Sequence, residues 1–154
     1  DPHAGAFGIA GVVLYFLVLY GTAVQLRQSG ALENTGSIAA VFSSFLISRA
    51  LTAIFVVYLP PSKKSGLLYT FSSVAAVKAV TVSSIAVLAL CAVLIVRNPG
   101  VSALLPAAAA ALCAAYFVRM VKKKFGGISG DLCGWFIHMS ELLLLLGFAA
   151  SCGI

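Results

Sequence analysis

Five stretches of apolar residues, roughly 7–26, 38–59, 74–96, 101–118 and 132–153, limit what this chain can become more than any other feature. A helix rises about 1.5 Å per residue, so crossing the roughly 30 Å hydrocarbon core of a bilayer takes about 20 residues. Inside that core no water satisfies the peptide groups, and a helix bonds them internally. The expected fold is therefore all-α: a polytopic integral membrane bundle of about five transmembrane helices, forming a single membrane domain over residues 1–154. The breaks between runs are polar or helix-breaking, "RQSGALENTGS", "PPSKKSG", "RNPG" and "KKKFGGISGD". Pro106 falls within the fourth run, where a membrane helix tolerates it with a kink. The alanines from Ala107 to Ala111 read as a close-packed helix face. No long internal repeat is apparent.

Composition agrees. Hydrophobic residues make up 62% of the chain and charged residues 9%, against roughly a quarter charged in a soluble domain. The formal charge of +6 could suit nucleic acid. No basic stripe interleaved with aromatics lies outside the apolar runs, so these charges read as membrane flanks and no nucleic-acid partner is expected. Cys91, Cys113, Cys133 and Cys152 lie in or at the start of apolar runs without metal-ligand spacing, and read as small buried thiols. The first residue is Asp and no signal peptide follows, which suggests a fragment or processed product. With alternating spans, Lys63, Lys64, Lys78, Arg119, Lys122, Lys123 and Lys124 share one face, while Arg27 and Arg97 hold the other. The positive-inside rule makes the first face cytoplasmic.

Two charges fall inside apolar runs. Arg49 lies ten residues before the cytoplasmic end of the second, and Glu141 ten residues after Asp131. Both are then about 15 Å deep, where a lone charge is costly, so the two are expected to be neighbours. His138 precedes Glu141 by three and Asp131 lies seven further back. That spacing predicts Asp131, His138 and Glu141 on one helix face, pointing into a cytoplasm-open cavity. A hydrogen-bonded bundle histidine is an equal reading of His138. In "GGISGD", Gly126, Gly127 and Gly130 permit a tight backbone whose amides could cradle phosphate. Asp131 begins a helix, where it could cap or could hold Mg²⁺.

The stretch "GGISGDLCGWFIHMSELLLLL" resembles the C-terminal signature of the cobalamin synthases, the adenosylcobinamide-GDP ribazoletransferases. Gly126, Gly127, Gly130, Asp131, Gly134 and Glu141 match it, with Ser129 in place of a threonine. "DPHAGAFG" resembles a second family element at Asp1, Gly5 and Gly8, and "SRALTAIFVVYLPPSKKSGLLYTF" a third at Ser48, Arg49, Pro60, Gly66 and Leu67. His138 stands where the family has a carboxylate. Family members are longer at the N-terminus and carry there an acidic element expected to hold the metal. The chain thus looks like the C-terminal three-fifths of such an enzyme.

The resemblance implies a membrane enzyme of bacterial or archaeal cobalamin assembly, with its active face cytoplasmic. It would join adenosylcobinamide-GDP to α-ribazole or its 5′-phosphate, release GMP and use Mg²⁺. Asp131, His138 and Glu141 would be catalytic, with Asp131 also the metal ligand. Arg49, Lys122, Lys123, Lys124, Gly126, Gly127, Ser129, Gly130 and Asp1 would bind substrate or phosphate. Beyond substrates and lipid, further copies of the chain or other cobalamin-assembly enzymes are candidate partners. A reading from another class is a small transporter or channel bundle using Arg49, His138 and Glu141 as a polar pathway. The outer-leaflet halves of the spans lack charge, which favours a one-sided site.

Overall fold

A computed structural model describes residues 5–63, 65–97 and 104–152; Asp1 and Lys64 lie outside it. The described residues form six helices, α1 (Ala6–Gln28), α2 (Thr35–Tyr58), α3 (Leu67–Val74), α4 (Val77–Val96), α5 (Leu104–Met120) and α6 (Gly130–Cys152), and no strand. A π turn, Val121–Phe125, extends α5. Five helical segments are long and apolar enough to cross a membrane: Gly8–Gln28, Thr35–Tyr58, Val77–Val96, Leu104–Phe125 and Gly130–Ser151. The chain is a multi-pass membrane protein.

Boundaries move for local reasons. The second span starts at Thr35 rather than residue 38 because the Asn34 side chain accepts the Gly36 amide at 2.9 Å and caps the helix. The third begins at Val77 rather than 74, because residues 67–74 form a helix of their own. Leu67, Phe71 and Val74 in α3 recur at helical spacing and are exposed. Eight residues are too few to register as a crossing.

Helix α6 is the hub and packs against α1, α2 and α5, while α4 packs on α2. Two apolar clusters hold the bundle. One gathers Leu26, Val41, Ile95, Leu145 and Phe148. The other gathers Leu59, Phe117, Val121, Ile128 and Phe136 near the 120–131 loop. Buried hydroxyls lie along α2 and α6, and several of them donate to carbonyls of their own helix. Ser43 donates to Ala39, Ser44 to Val41 and Ser140 to Ile137, which spares lipid an unpaired donor.

The alanine run does not form the close-packed face its composition suggests. Ala107, Ala108 and Ala111 are exposed, and Ala107, Ala110, Ala111 and Ala114 line an apolar cavity of about 410 Å³ with Leu51, Leu88 and Leu144. Short side chains leave the volume that longer ones opposite do not fill. The close approach is elsewhere: a Cβ on Gly147 would sit 2.8 Å from the Pro106 Cα. Pro106 falls in the first turn of α5 as described, a position where its missing N–H costs little. Cys91, Cys113 and Cys133 are free and buried.

Candidate functional site

The loop before α6 gets its shape from glycine. Gly126 ends the π turn at φ +65, a left-handed conformation that a side chain would strain. Gly127 lies against the loop after α2: a Cβ there would come within 2.6 Å of the Ser62 nitrogen and 2.7 Å of the Pro60 oxygen. That approach lets the Ile128 amide donate to Pro60 at 2.8 Å and the Ser62 amide donate to Ile128 at 2.9 Å. Two loops far apart in sequence are thereby stapled by a parallel bridge between Pro61 and Ile128. Residues 60–62 and 127–128 lie on one side of the bundle, as the charge asymmetry requires.

Between the stapled loops lies a cavity of about 270 Å³, lined by Ser62, Lys63, Ser65 and Gly66 on one wall and Ser129, Gly130 and Asp131 on the other. Leu67, Leu68 and Tyr69 of α3 close it. The Ser129 hydroxyl accepts the Leu132 amide at 3.3 Å and so caps α6. Asp131 is therefore not the cap. It stands exposed in the first helical turn, and its carboxylate has no hydrogen-bond or ion-pair partner among the described residues.

The expected Arg49–Glu141 neighbourhood is present. Arg49 Nη1 donates to Glu141 Oε1, to the Phe45 carbonyl at 2.9 Å and to Ser48 Oγ at 3.3 Å. The Ser48 hydroxyl lies 3.1 Å from the same carboxylate oxygen. Glu141 is 4% exposed, whereas the Arg49 side chain is 57% exposed. The pair joins α2 to α6 near mid-span, between the two apolar clusters.

Asp131 and His138 line two different cavities, and Glu141 lines neither of them. At about 100° per residue, three residues rotate Glu141 by some 60° from His138, and the seven from Asp131 to His138 span about 10 Å of helix axis. Asp131 thus reaches the stapled-loop cavity, and Glu141 turns into the α2 seam. His138 stays exposed beneath α1, edge-on to the Tyr15 ring at 5.2 Å. It lines a separate cavity of about 470 Å³ with Gly8, Gly11, Phe16 and Trp135. Nor do Arg49 and Glu141 floor the Asp131 cavity, because Arg49 lines an apolar groove of about 500 Å³ with Thr52, Val56, Leu68, Phe71 and Val80. Among the described residues, Arg49 and His138 line two different cavities, whereas a continuous polar pathway would join them.

Lys122, Lys123 and Lys124 are exposed on the π turn and line none of these cavities. Gly126 and Gly127 shape the loop, and Ile128, Ser129, Gly130 and Asp131 of "GGISGD" line the cavity. Asp1 is outside the described residues. Sequence reasoning missed Lys63, Ser62 and Ser65 as lining residues. The signal for them was "PPSKKSG" falling on the same face as "GGISGD".

The fold and site define a class: a multi-pass helical membrane protein with a small polar cavity between two loops at one end of its bundle. Within that class, the chain belongs to the cobalamin-5-phosphate synthase family, which it matches over residues 1–149. It is 30% identical, over its whole length and 56% of the relative, to an adenosylcobinamide-GDP ribazoletransferase of Lachnoclostridium phytofermentans. It is 28% identical over 96% of its length to one from Desulfitobacterium hafniense, and 27% to one from Nitratidesulfovibrio vulgaris. The chain spans about half the length of these curated relatives. No solved structure matches it.

Proposed function

We propose that this chain belongs to a membrane transferase of cobalamin biosynthesis that joins adenosylcobinamide-GDP to α-ribazole or its 5′-phosphate and releases GMP. The relatives' shared name, adenosylcobinamide-GDP ribazoletransferase, supports the reaction. The observation that supports a site for it is the stapled-loop cavity, lined by Asp131, which has no partner among the described residues, and by Ser62, Ser65 and Ser129. In the transfer a ribose hydroxyl attacks the cobinamide-linked phosphorus. An O–P bond forms, the anhydride P–O bond breaks, GMP leaves with the bridging oxygen, and the hydroxyl proton passes to solvent or a base. Such a step is served by positioning and by offsetting phosphate charge.

Mg²⁺ fits the site in a limited way. Among the described residues no three His, Cys, Asp or Glu side chains gather as a metal cluster. Mg²⁺ is commonly held by one or two carboxylates together with substrate phosphates and water, and Asp131 at the cavity suits that set. When bound, the ion would neutralise phosphate charge. Asp131 would orient the diphosphate through it, Ser62, Ser65 and Ser129 would offer hydroxyl hydrogen bonds, and the staple would hold both walls fixed. Arg49 and Glu141 would act at a distance, by locking α2 to α6. The cavity face is read as cytoplasmic in a bacterial or archaeal cell membrane, because the exposed lysines gather there.

The test uses the protein carrying this chain at its natural length, in nanodiscs, with adenosylcobinamide-GDP, α-ribazole and Mg²⁺. GMP and the joined cobamide should appear together and depend on both substrates. Absence of GMP with both substrates and Mg²⁺ present would overturn the proposal.

A further inference from the structure

We infer that Lys63, on the loop after α2, is the cation that grips the diphosphate of the substrate. The inference rests on the transfer reading above and deepens it. The stapled-loop cavity has a carboxylate on one wall, Asp131, and on the other a single described cation, Lys63. The staple brings the two together: the Ser62 amide, immediately before Lys63, is bonded to Ile128, and Asp131 follows three residues after Ile128. The triple lysine, to which the family resemblance gives a phosphate-binding role, sits on the π turn and lines no part of the cavity.

Size limits what enters. Sites that enclose a drug-sized ligand run from about 300 to 1,000 Å³, and this cavity is about 270 Å³. It takes a diphosphate head and leaves the corrinoid outside. An ammonium on a flexible stem suits that cargo, because it pairs with phosphate oxygens as a point charge without requiring one planar geometry. A carboxylate opposite it suits the hard cation that accompanies a diphosphate. Lys63 is exposed and packs in neither apolar cluster, so the fold does not need its side chain.

The test measures binding of inorganic pyrophosphate with Mg²⁺ by equilibrium dialysis. It uses the natural-length protein in nanodiscs of neutral lipid, which removes anionic headgroups as competitors for lysine. Lys63→Met keeps the apolar stem and removes the charge. It should weaken pyrophosphate binding at least tenfold and raise KM for adenosylcobinamide-GDP, while Lys63→Arg recovers most of the binding. Amide-exchange protection at Ser62 and Ile128 should stay at the wild-type level in both variants, which separates lost charge from lost fold. Wild-type binding and KM in Lys63→Met would overturn the inference. So would a loss that instead follows combined replacement of Lys122, Lys123 and Lys124 by methionine. Either result, in a protein that still releases GMP, refutes the Lys63 role and leaves the transfer reading standing. Failure to release GMP at all refutes that reading first.

Discussion

Replacing Gly127 by alanine should open the site without unfolding the bundle. The new methyl carbon would lie 2.6 Å from the Ser62 nitrogen, 2.7 Å from the Pro60 oxygen and 2.7 Å from the Pro61 carbonyl carbon. All three are backbone atoms, so no rotamer change relieves the clash. The loops must separate, and the Ile128–Pro60 and Ser62–Ile128 hydrogen bonds stretch or break. Each such bond contributes a net 0.5–1.5 kcal/mol, roughly, and forced overpacking costs about 1–3 kcal/mol. The combined local cost is about 2–6 kcal/mol. Since about 1.4 kcal/mol is tenfold in an equilibrium, the stapled population should drop by at least an order of magnitude. Hydrogen exchange followed by mass spectrometry in nanodiscs reads this directly. Peptides covering 60–66 and 126–131 should lose protection while those within α2 and α6 keep it. Gly130→Ala is the control, because nothing lies within 4 Å of the added carbon. Unchanged protection at Ser62 and Ile128 in Gly127→Ala would refute the staple.

Removing the Arg49 charge with methionine strands a buried Glu141 and should cost about 2–3 kcal/mol, at the low side for buried pairs because Arg49 is half-exposed. Thermal unfolding in detergent should show Arg49→Met/Glu141→Leu less damaged than the sum of the single changes, and additive effects would refute the coupling. Gly147→Ala drives a carbon to 2.8 Å from Pro106 and should lower stability by about 1–3 kcal/mol. Gly134→Ala, with nothing within 4 Å, should not, and equal melting temperatures for the two variants would contradict the close α5–α6 contact. Cysteines placed at Ser62 and Lys123 should react with an impermeant reagent from the same side of sealed vesicles, and labelling from opposite sides would contradict the stapled geometry.

How much was legible in the sequence follows from which forces leave a mark on it. The five spans were, because a bilayer demands about 20 apolar residues and any shortfall shows as a break. Arg49 and Glu141 could be matched because helical rise converts position into depth, and a buried charge needs a partner at its own level. Rotation about the helix axis was not legible. Whether His138 and Glu141 face one cavity depends on where α1 and α2 pack, and the spans are too uniformly apolar to mark a preferred face. Helix α3 was hidden by its length. Lys63 was hidden because the staple that brings its loop to Asp131 is made of backbone groups, and only Gly127 betrays it. The lysine triplet stood out by density, yet the π turn carries it away from the cavity wall.

The central claim is that Asp131 serves the diphosphate transfer rather than the fold, and Asp131→Asn in the natural-length protein tests it most directly. Ser129 caps α6, so the amide should leave insertion, melting temperature and exchange protection of the helix as they are. An amide lacks the charge that a hard cation prefers. Losing about 3 kcal/mol of charge stabilisation corresponds to a rate loss of about a hundredfold. GMP release from adenosylcobinamide-GDP, measured across a Mg²⁺ titration, should fall by that order, with partial recovery at high Mg²⁺. Wild-type turnover at low Mg²⁺ in a folded Asp131→Asn protein would contradict the account.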